Sequence, residues 1–206
     1  MGMPTSDTIT TIDQLQELFG SVGEASLRKE ANFIPAVYRR WIEASPFVVL
    51  ATSGPEGLDA SPRGDPAGFV VVENERSLLL PERRGNNRID SLRNILTDSR
   101  VGLLFFIPGV GETLRVNGRA TISTDRALLD RLAVEGKPPQ CVIRIAVEAA
   151  FFQCARAMQR SGLWSNTTRP AGVPSAGEML QALTSGGIDG EQYDQALPAR
   201  QSTSLY

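Results

Sequence analysis

Short apolar runs separated by turn sequences occupy the middle of the chain and constrain its fold more than any other feature. Seven runs lie between residues 47 and 147, and the first (FVVLAT, 47–52) is rich in β-branched residues and is followed by the turn sequence SGPEG. Most of the connections are short enough to join antiparallel strands, whereas parallel strands need crossovers of roughly a dozen residues. The pattern therefore predicts an antiparallel sheet, either closed or split into a small barrel.

Helical periodicity flanks these runs and also interrupts them. Apolar residues spaced three and four apart predict helices within residues 10–20 and 32–45. A further helix is predicted to begin at Asn87, because asparagine is a favoured N-cap residue. Residues 151–164 (FFQCARAMQRSGLW) also predict a helix. The expected fold is mainly β with flanking helices.

The order of these segments divides the chain into three parts. After Trp164 the sequence becomes polar and rich in glycine, serine and proline, with one short helix predicted from Ser175. We expect N-terminal helices that pack on the barrel in residues 1–46, the barrel domain in residues 47–164, and a C-terminal surface tail with a short helix in residues 165–206.

Composition and charge exclude several kinds of site. The chain has no histidine, which removes histidine triads, histidine general bases and histidine metal ligands. Its two cysteines, Cys141 and Cys154, form no CxxC motif, so we expect buried, unreactive thiols and no metal site. A net charge of −2 disfavours nucleic acid as a partner. No apolar run approaches the roughly 20 residues of a membrane span, and residues 1–15 lack the pattern of a secretory signal, so we expect a cytoplasmic protein.

The densest polar cluster is the sequence PERRGNNR at residues 81–88, between a predicted strand and a predicted helix. Its guanidinium and amide groups can donate hydrogen bonds to an anion, as can the helix N-terminus that follows; the side chains concerned are Arg83, Arg84, Asn86, Asn87 and Arg88. The pattern therefore predicts a phosphate site. The alternative is a solvated loop whose arginines pair with Glu82 and Asp90.

Two strand sequences are weaker candidates. The sequence SPRGDP at residues 61–66 carries proline, which is typical of an edge strand whose unpaired backbone groups could bind a flat heterocycle. The alternative is a loop with an Arg63–Asp65 ion pair. In the sequence ETLRVNG, strand alternation places Thr113, Arg115 and Asn117 on one face, which is normally just solvent-facing.

Four segments, taken in order, resemble the pyridoxamine 5′-phosphate oxidase-like class of FMN-dependent flavoproteins, and more narrowly its probable-FMN-enzyme subfamily. They are LDASPRGDPAGF, SLLLPERRGNNRIDSLRNIL, RVGLLFFIPGVGETLRVNGRA and FFQCARAMQRSGLW, and the resemblance covers residues 43–165. It implies a six-stranded antiparallel split barrel that forms a homodimer, with one FMN in each of two interface clefts.

The resemblance also implies roles for individual residues. The phosphate-binding segment falls on Asn87 and Arg88, with Arg83 and Asn86 as neighbours. The strand along the flavin ring falls on Ser61, Pro62 and Arg63. The position that contacts the flavin edge is glutamine in the family oxidase and Thr113 here, and threonine reaches less far. Arg160 and Trp164 match a C-terminal motif of the subfamily that lies near the cleft.

One departure from the family bears on the substrate. The true oxidase holds its vitamin substrate with a C-terminal motif that contains arginine and histidine, and the tail of this chain (QALPARQSTSLY) has nothing similar. The resemblance therefore implies an FMN-dependent oxidoreductase that acts on some other small molecule. The alternatives are a reductase that uses the deazaflavin cofactor F420 and a flavin-binding module without turnover. No residue stands out as a catalytic acid or base.

Overall fold

The chain is described by a computed structural model over residues 7–165 and 168–202. Seven antiparallel strands in this part of the chain form one sheet in the order β2-β1-β5-β6-β7-β4-β3. The strands are β1 (Phe47–Gly54), β2 (Gly57–Gly64), β3 (Val71–Asn74), β4 (Ser77–Glu82), β5 (Arg100–Phe106), β6 (Thr113–Ser123) and β7 (Cys141–Gln153). The helices are α1 (Ile12–Phe19), α2 (Glu24–Arg28), α3 (Ala36–Ala44), α4 (Asp90–Thr97), α5 (Arg126–Arg131), α6 (Arg156–Ser161), α7 (Ala176–Leu183) and α8 (Gly190–Ser202).

The predicted fold class, mainly antiparallel β with flanking helices, is confirmed. The sheet has seven strands and is open, with β2 and β3 at its two ends, and is close to the six-stranded split barrel that the resemblance implies. β3, at one end of the sheet, has four residues and pairs through its hairpin with β4. None of the helices in the described residues is both long and apolar enough to cross a membrane.

One face of the sheet forms the core of the molecule. Successive side chains of a strand point to opposite faces, so alternate residues of the long strands are buried together. This core includes Val48, Leu50, Leu103, Phe105, Leu114, Val116, Ile143 and Ile145, each at most 1% exposed. Ile42 of α3 and Ile95 of α4 close it from the helical side. The apolar runs of the sequence therefore become the buried face of the sheet.

Two elements differ from their predicted bounds. The segment predicted as a helix from residue 151 continues β7 as far as Gln153, because Phe151 and Phe152 pair with Arg115 and Leu114 across the sheet. Only α6 of that segment is helical. The helix predicted to begin at Asn87 begins at Asp90 instead, because Asn87 and Ile89 adopt left-handed backbone angles with φ of 60° and 54°.

The C-terminal part contains two helices where one was predicted. Asp194 of α8 accepts a hydrogen bond from the backbone N–H of Gly177 at 2.8 Å, which ties α8 to the first turn of α7. A hydrogen bond from the Ser175 side chain, and then the one from Gly177, lower the pKa of Asp194. Gly177 and Gly190 pack backbone against backbone, with no room for a Cβ at either position. The second helix is thus stabilised by contacts with the first, which local sequence patterns do not show.

A β-bulge between β6 and β7 leaves no room for a side chain at Gly118. A Cβ there would collide with the carbonyl oxygen of Ala146, whereas a Cβ at Gly23 would meet nothing within 4 Å. We expect Gly118→Ala to lower the free energy of unfolding by about 1–3 kcal/mol, as overpacking usually does. Gly23→Ala should change it by less than about 0.5 kcal/mol. Urea denaturation of both variants tests this, and equal effects would contradict the bulge as the cause.

Candidate functional site

The C-terminal ends of β2 and β4 and the N-terminus of α4 enclose a cleft of about 560 Å³. Its lining includes Asp59, Ser61, Pro62, Arg63, Glu82, Arg83, Arg84, Asn86, Asn87, Arg88, Asp90 and Ser91. Pockets of roughly 300–1,000 Å³ hold small molecules and cofactors. The structure therefore brings the SPRG segment and the arginine-asparagine loop, which lie about 20 residues apart in sequence, to one cleft.

Strand β2 forms one wall of this cleft because it is an edge strand. It pairs with β1 on one side, where Pro62 lies opposite Val49, and a proline without an N–H is tolerated at such an edge. Alternation along β2 places Asp59, Ser61 and Arg63 on the same, half-buried face. This face is turned toward α4 and the end of β4.

A polar network on that face connects three elements. Arg63 Nε donates to Glu82 at 3.1 Å, and its Nη2 donates to Ser91 Oγ at 3.2 Å. The Ser91 and Ser61 hydroxyls donate to the Asp59 carboxylate at 2.6 Å and 2.9 Å. The Arg63–Glu82 pair is about four-fifths buried, with side chains 19% and 18% exposed. The network therefore sets the positions of β2, β4 and α4 relative to one another.

Arg83 fixes the position of the loop at residues 81–88 through buried contacts with the turn after β2 and the end of α5. Its Nε donates to the Asp65 carboxylate at 2.9 Å, and its Nη1 donates to the Leu132 carbonyl at 3.1 Å. The Asp65 side chain is 2% exposed and that of Arg83 is 15% exposed. The guanidinium thus connects the turn after β2 with the end of α5, and its first role is to hold the loop in place.

The loop before α4 has an unusual backbone. Asn87 adopts a left-handed conformation that asparagine tolerates, but the β-branched Ile89 does so too, with φ of 54°. The Asn86 side chain accepts a hydrogen bond from the Arg88 N–H at 3.1 Å, which stabilises the bend. Local strain of this kind often accompanies a functional site, and here it directs the first turn of α4 toward the cleft.

The two exposed arginines of the loop differ in their contacts. Arg88 Nε lies 2.8 Å from Asp90, and this side chain is 75% exposed. The hydrogen bond and the charge of Asp90 raise the pKa of Arg88, so that side chain stays protonated. Among the described residues, no hydrogen bond or ion pair engages the guanidinium of Arg84, which is exposed on the same loop. Of the two pairings in the solvated-loop alternative, the one with Asp90 is present, through Arg88, whereas Glu82 pairs with Arg63 instead, and Arg84 is exposed to solvent.

Three predicted site residues lie outside this cleft. Thr113 begins β6, and its hydroxyl contacts Gln153 at 3.2 Å. Trp164 donates its indole N–H to the Val110 carbonyl at 2.9 Å, and Arg160 is an exposed residue of α6. Thr113 and Trp164 thus lie at the two ends of the segment that leads from the loop after β5 into β6, and none of the three residues lines the cleft of the same chain.

Sequence reasoning did not identify Asp59 and Ser91 as site residues, nor Glu82 as the partner of Arg63. Asp59 precedes Ser61 by two residues on a predicted strand, so alternation along that strand was a signal that could have found it. Ser91 and Glu82 reach the cleft only through the packing of α4 and β4 against β2.

The two cysteines lie in different environments. Cys141 is paired in register with Glu82, and burial together with the Glu82 charge raises the pKa of its thiol. Cys154 was predicted to be buried in a helix, but it follows the end of β7 and is exposed. The prediction that both thiols are buried therefore holds for Cys141 and is wrong for Cys154.

Several solved structures are similar to this chain. HupZ from Group A Streptococcus is 18% identical, with 56% of this chain and 90% of that chain covered and a TM-score of 0.46. A Lactobacillus delbrueckii protein named after pyridoxamine 5′-phosphate oxidase is 20% identical, with 59% and 95% covered and a TM-score of 0.46. A Clostridium acetobutylicum protein related to general stress protein 26 is 16% identical, with 55% and 83% covered and a TM-score of 0.44.

No curated protein matches the chain. The family model of pyridoxamine 5′-phosphate oxidase matches residues 34–154. These residues include all seven strands and every residue that lines the cleft. The match covers more than half of the 206 residues. This chain therefore belongs to the pyridoxamine 5′-phosphate oxidase family.

Proposed function

We propose that the chain binds FMN in the cleft between β2, β4 and α4 and uses it as an oxidoreductase acting on a small molecule. The observation that supports this most directly is that one cleft is lined both by the exposed hydrogen-bond donors of the loop at residues 81–88 and by the hydrogen-bonded polar side chains of the edge strand β2. FMN, when bound, supplies the electron-transfer chemistry. We also propose a cytoplasmic location, because both cysteines are free thiols, as a reducing compartment would keep them.

The donors at the loop end of the cleft fit a phosphate monoester. Arg84 and Arg88 are exposed guanidinium groups, and Asn86 and Asn87 carry side-chain amides beside them. The Arg88–Asp90 pair is exposed, and exposed ion pairs contribute little, so Arg88 can turn to a phosphate at small cost. The first turn of α4 adds backbone N–H groups and its positive dipole end.

The edge strand suits the flat ring of a flavin. Ser61, Pro62 and Arg63 of this strand line a wall of the cleft, and the Pro62 carbonyl accepts a hydrogen bond from Arg63 Nη1 at 3.0 Å. Arg63 is held in one orientation by Glu82 and Ser91. In this proposal the strand orients the ring and the loop holds the phosphate, while the catalytic acid and base remain unassigned.

The proposal is tested by comparing the affinity of the protein for FMN with its affinity for riboflavin, which lacks the phosphate. We expect the purified protein to bind FMN at least about tenfold more tightly than riboflavin, because each charge-assisted hydrogen bond to a phosphate contributes about 1.5–3 kcal/mol. Fluorescence titration of the apoprotein with both compounds measures the ratio. Equal affinities would refute the phosphate assignment, and bound FMN that no donor reduces would favour a binding module over an enzyme.

We also propose that two copies of the chain complete each cofactor site. Thr113 begins β6, Trp164 bonds the loop before it, and Arg160 lies on α6. None of the three lines the cleft of its own chain, and the resemblance places them near the flavin. A two-fold homodimer would bring this surface of one copy to the cleft of the other. The exposed indole of Trp164 would then be an interface anchor.

We expect light scattering to report a dimer that persists on dilution and that Trp164→Ala weakens. Leu183→Ala is the control, because Leu183 is an 84% exposed apolar residue on α7, outside that surface. In the dilution series of the Trp164 variant, flavin fluorescence should rise as the dimer dissociates, since assembly and binding are linked. A monomer that retains one flavin per chain would rule out a shared cleft.

A further inference from the structure

The outer face of the sheet, opposite the core, carries a row of residues that crosses five strands. Strand pairing places one residue each of β2, β1, β5, β6 and β7 side by side in this row, namely Pro62, Val49, Leu104, Arg115 and Phe151. The next row consists of Ala60, Ala51, Gly102, Asn117 and Ala149. Arg115 is the one charged residue in these two rows. A guanidinium group therefore lies within an otherwise uncharged surface.

Arg115 has no carboxylate partner in the described part of the chain. Its guanidinium lies 5.5 Å from the centre of the Phe151 ring, and Lys29 Nζ lies 6.0 Å from the centre of the same ring. Arg119, four residues further along β6, is also exposed but pairs with Glu148 at 2.9 Å. Contact with an aromatic ring orients a guanidinium but does not neutralise it. Arg115 thus keeps a positive charge that an anion can neutralise.

The row places Arg115 in line with the strand proposed to hold the flavin ring. Pro62, at the other end of the row, lines the cleft, whereas Arg115 does not. Three strand spacings of about 4.8 Å separate β6 from β2, so Arg115 lies roughly 14 Å from Pro62 of its own chain, beyond the reach of one side chain. In the proposed homodimer, the start of β6 of one copy meets the cleft of the other. Arg115 follows Thr113 by two residues, about 7 Å along the strand, and so reaches the same site from the second copy.

We infer that Arg115 of one copy recognises an anionic group, such as a carboxylate, on a flat small-molecule substrate in the site of the other copy. This inference rests on the proposed function and adds the chemical class of the substrate. A guanidinium binds a carboxylate through two parallel hydrogen bonds, and the Phe151 ring beside it offers an aromatic surface to a flat molecule. Arg160, which the second copy also brings, adds a further positive charge.

The experiment titrates the FMN-loaded, full-length protein with benzoate and with its neutral analogue benzamide, and follows the absorption spectrum of the flavin. We expect benzoate to bind at least about tenfold more tightly, because hydrogen bonds to charged groups contribute more than those between neutral groups. Arg115→Met should remove this preference, while its unbranched side chain still covers Phe151. Arg115→Lys should keep part of the preference, since lysine retains the charge but not the planar fork.

Arg119→Met is the matched control, because it removes an exposed guanidinium from the same face of β6 whose charge Glu148 already neutralises. It should leave the ratio within about twofold, as an exposed ion pair contributes little. Equal binding of the two probes, no binding of benzoate, or an equal change in both methionine variants would overturn the inference. An Arg115 variant that weakens the dimer at an unchanged ratio would also overturn it, because the guanidinium would then pair with a carboxylate of the second copy. A protein that takes up no FMN would refute the proposed function itself.

Discussion

Replacing Arg88 with alanine is expected to weaken FMN binding by about ten- to one-hundredfold. Arg88 lies at the loop before α4, where its side chain, the neighbouring amides and the helix N-terminus converge on one end of the cleft. Loss of a charge-assisted hydrogen bond costs about 1.5–3 kcal/mol, and each 1.4 kcal/mol is a factor of ten in affinity. The measurement is a titration of the apoprotein with FMN.

Arg28→Ala is the matched control for this variant. Arg28 is 78% exposed and pairs with Glu24 at 3.3 Å, much as Arg88 is 75% exposed and pairs with Asp90 at 2.8 Å. The two substitutions therefore remove the same charge from similar surroundings, but only Arg88 lines the cleft. An equal loss of affinity in both variants, or none in either, would show that the loop is not the phosphate site.

Replacing Phe105 with alanine is expected to produce the largest loss of stability, about 3–5 kcal/mol. Phe105 is fully buried in β5, in register with Val48 of β1 on one side and Leu114 of β6 on the other. Removing its ring leaves a cavity at the centre of the sheet, where surrounding strands cannot collapse to fill it. Urea denaturation followed by circular dichroism gives the free energy of unfolding.

Leu58→Ala separates the effect of burial from the effect of losing an apolar side chain. Leu58 lies on the edge strand β2 and is 89% exposed, so its truncation should change the free energy of unfolding by less than about 0.5 kcal/mol. The slope of the unfolding transition should be the same for both variants and the unmodified protein. A Leu58 variant as unstable as the Phe105 variant would contradict this account of the core.

The fold class followed from local patterns because each strand carries its own signal. Alternate apolar residues such as Val48, Leu50 and Leu103 define a buried face with a period of two, whatever the partner strand is. Short turns between most runs leave antiparallel pairing as the simplest connection. The candidate loop was recognisable for a similar reason, because arginines and asparagines lie within eight consecutive residues, 81–88, shortly before a helix.

Element boundaries were less predictable, because distant parts of the chain compete with local preference. Phe151 and Phe152 suit either a helix or a strand, and pairing with β6 selects the strand. Asn87 is a good N-cap residue, but the left-handed backbone of Asn87 and Ile89 delays α4 until Asp90.

The sequence by itself determined the antiparallel sheet and the donor-rich loop, since these depend on neighbouring residues, whereas the edge position of the strand with Pro62 came from the sheet order. Only the tertiary structure decided which arginines remain available to a ligand. Arg63 is paired with Glu82 across 19 positions and Asp59 with Ser91 across 32, and such partners are chosen by the packing of β2, β4 and α4. The charge of a loop can be counted from its residues, but the charge that a cleft offers depends on which carboxylates the fold brings beside it.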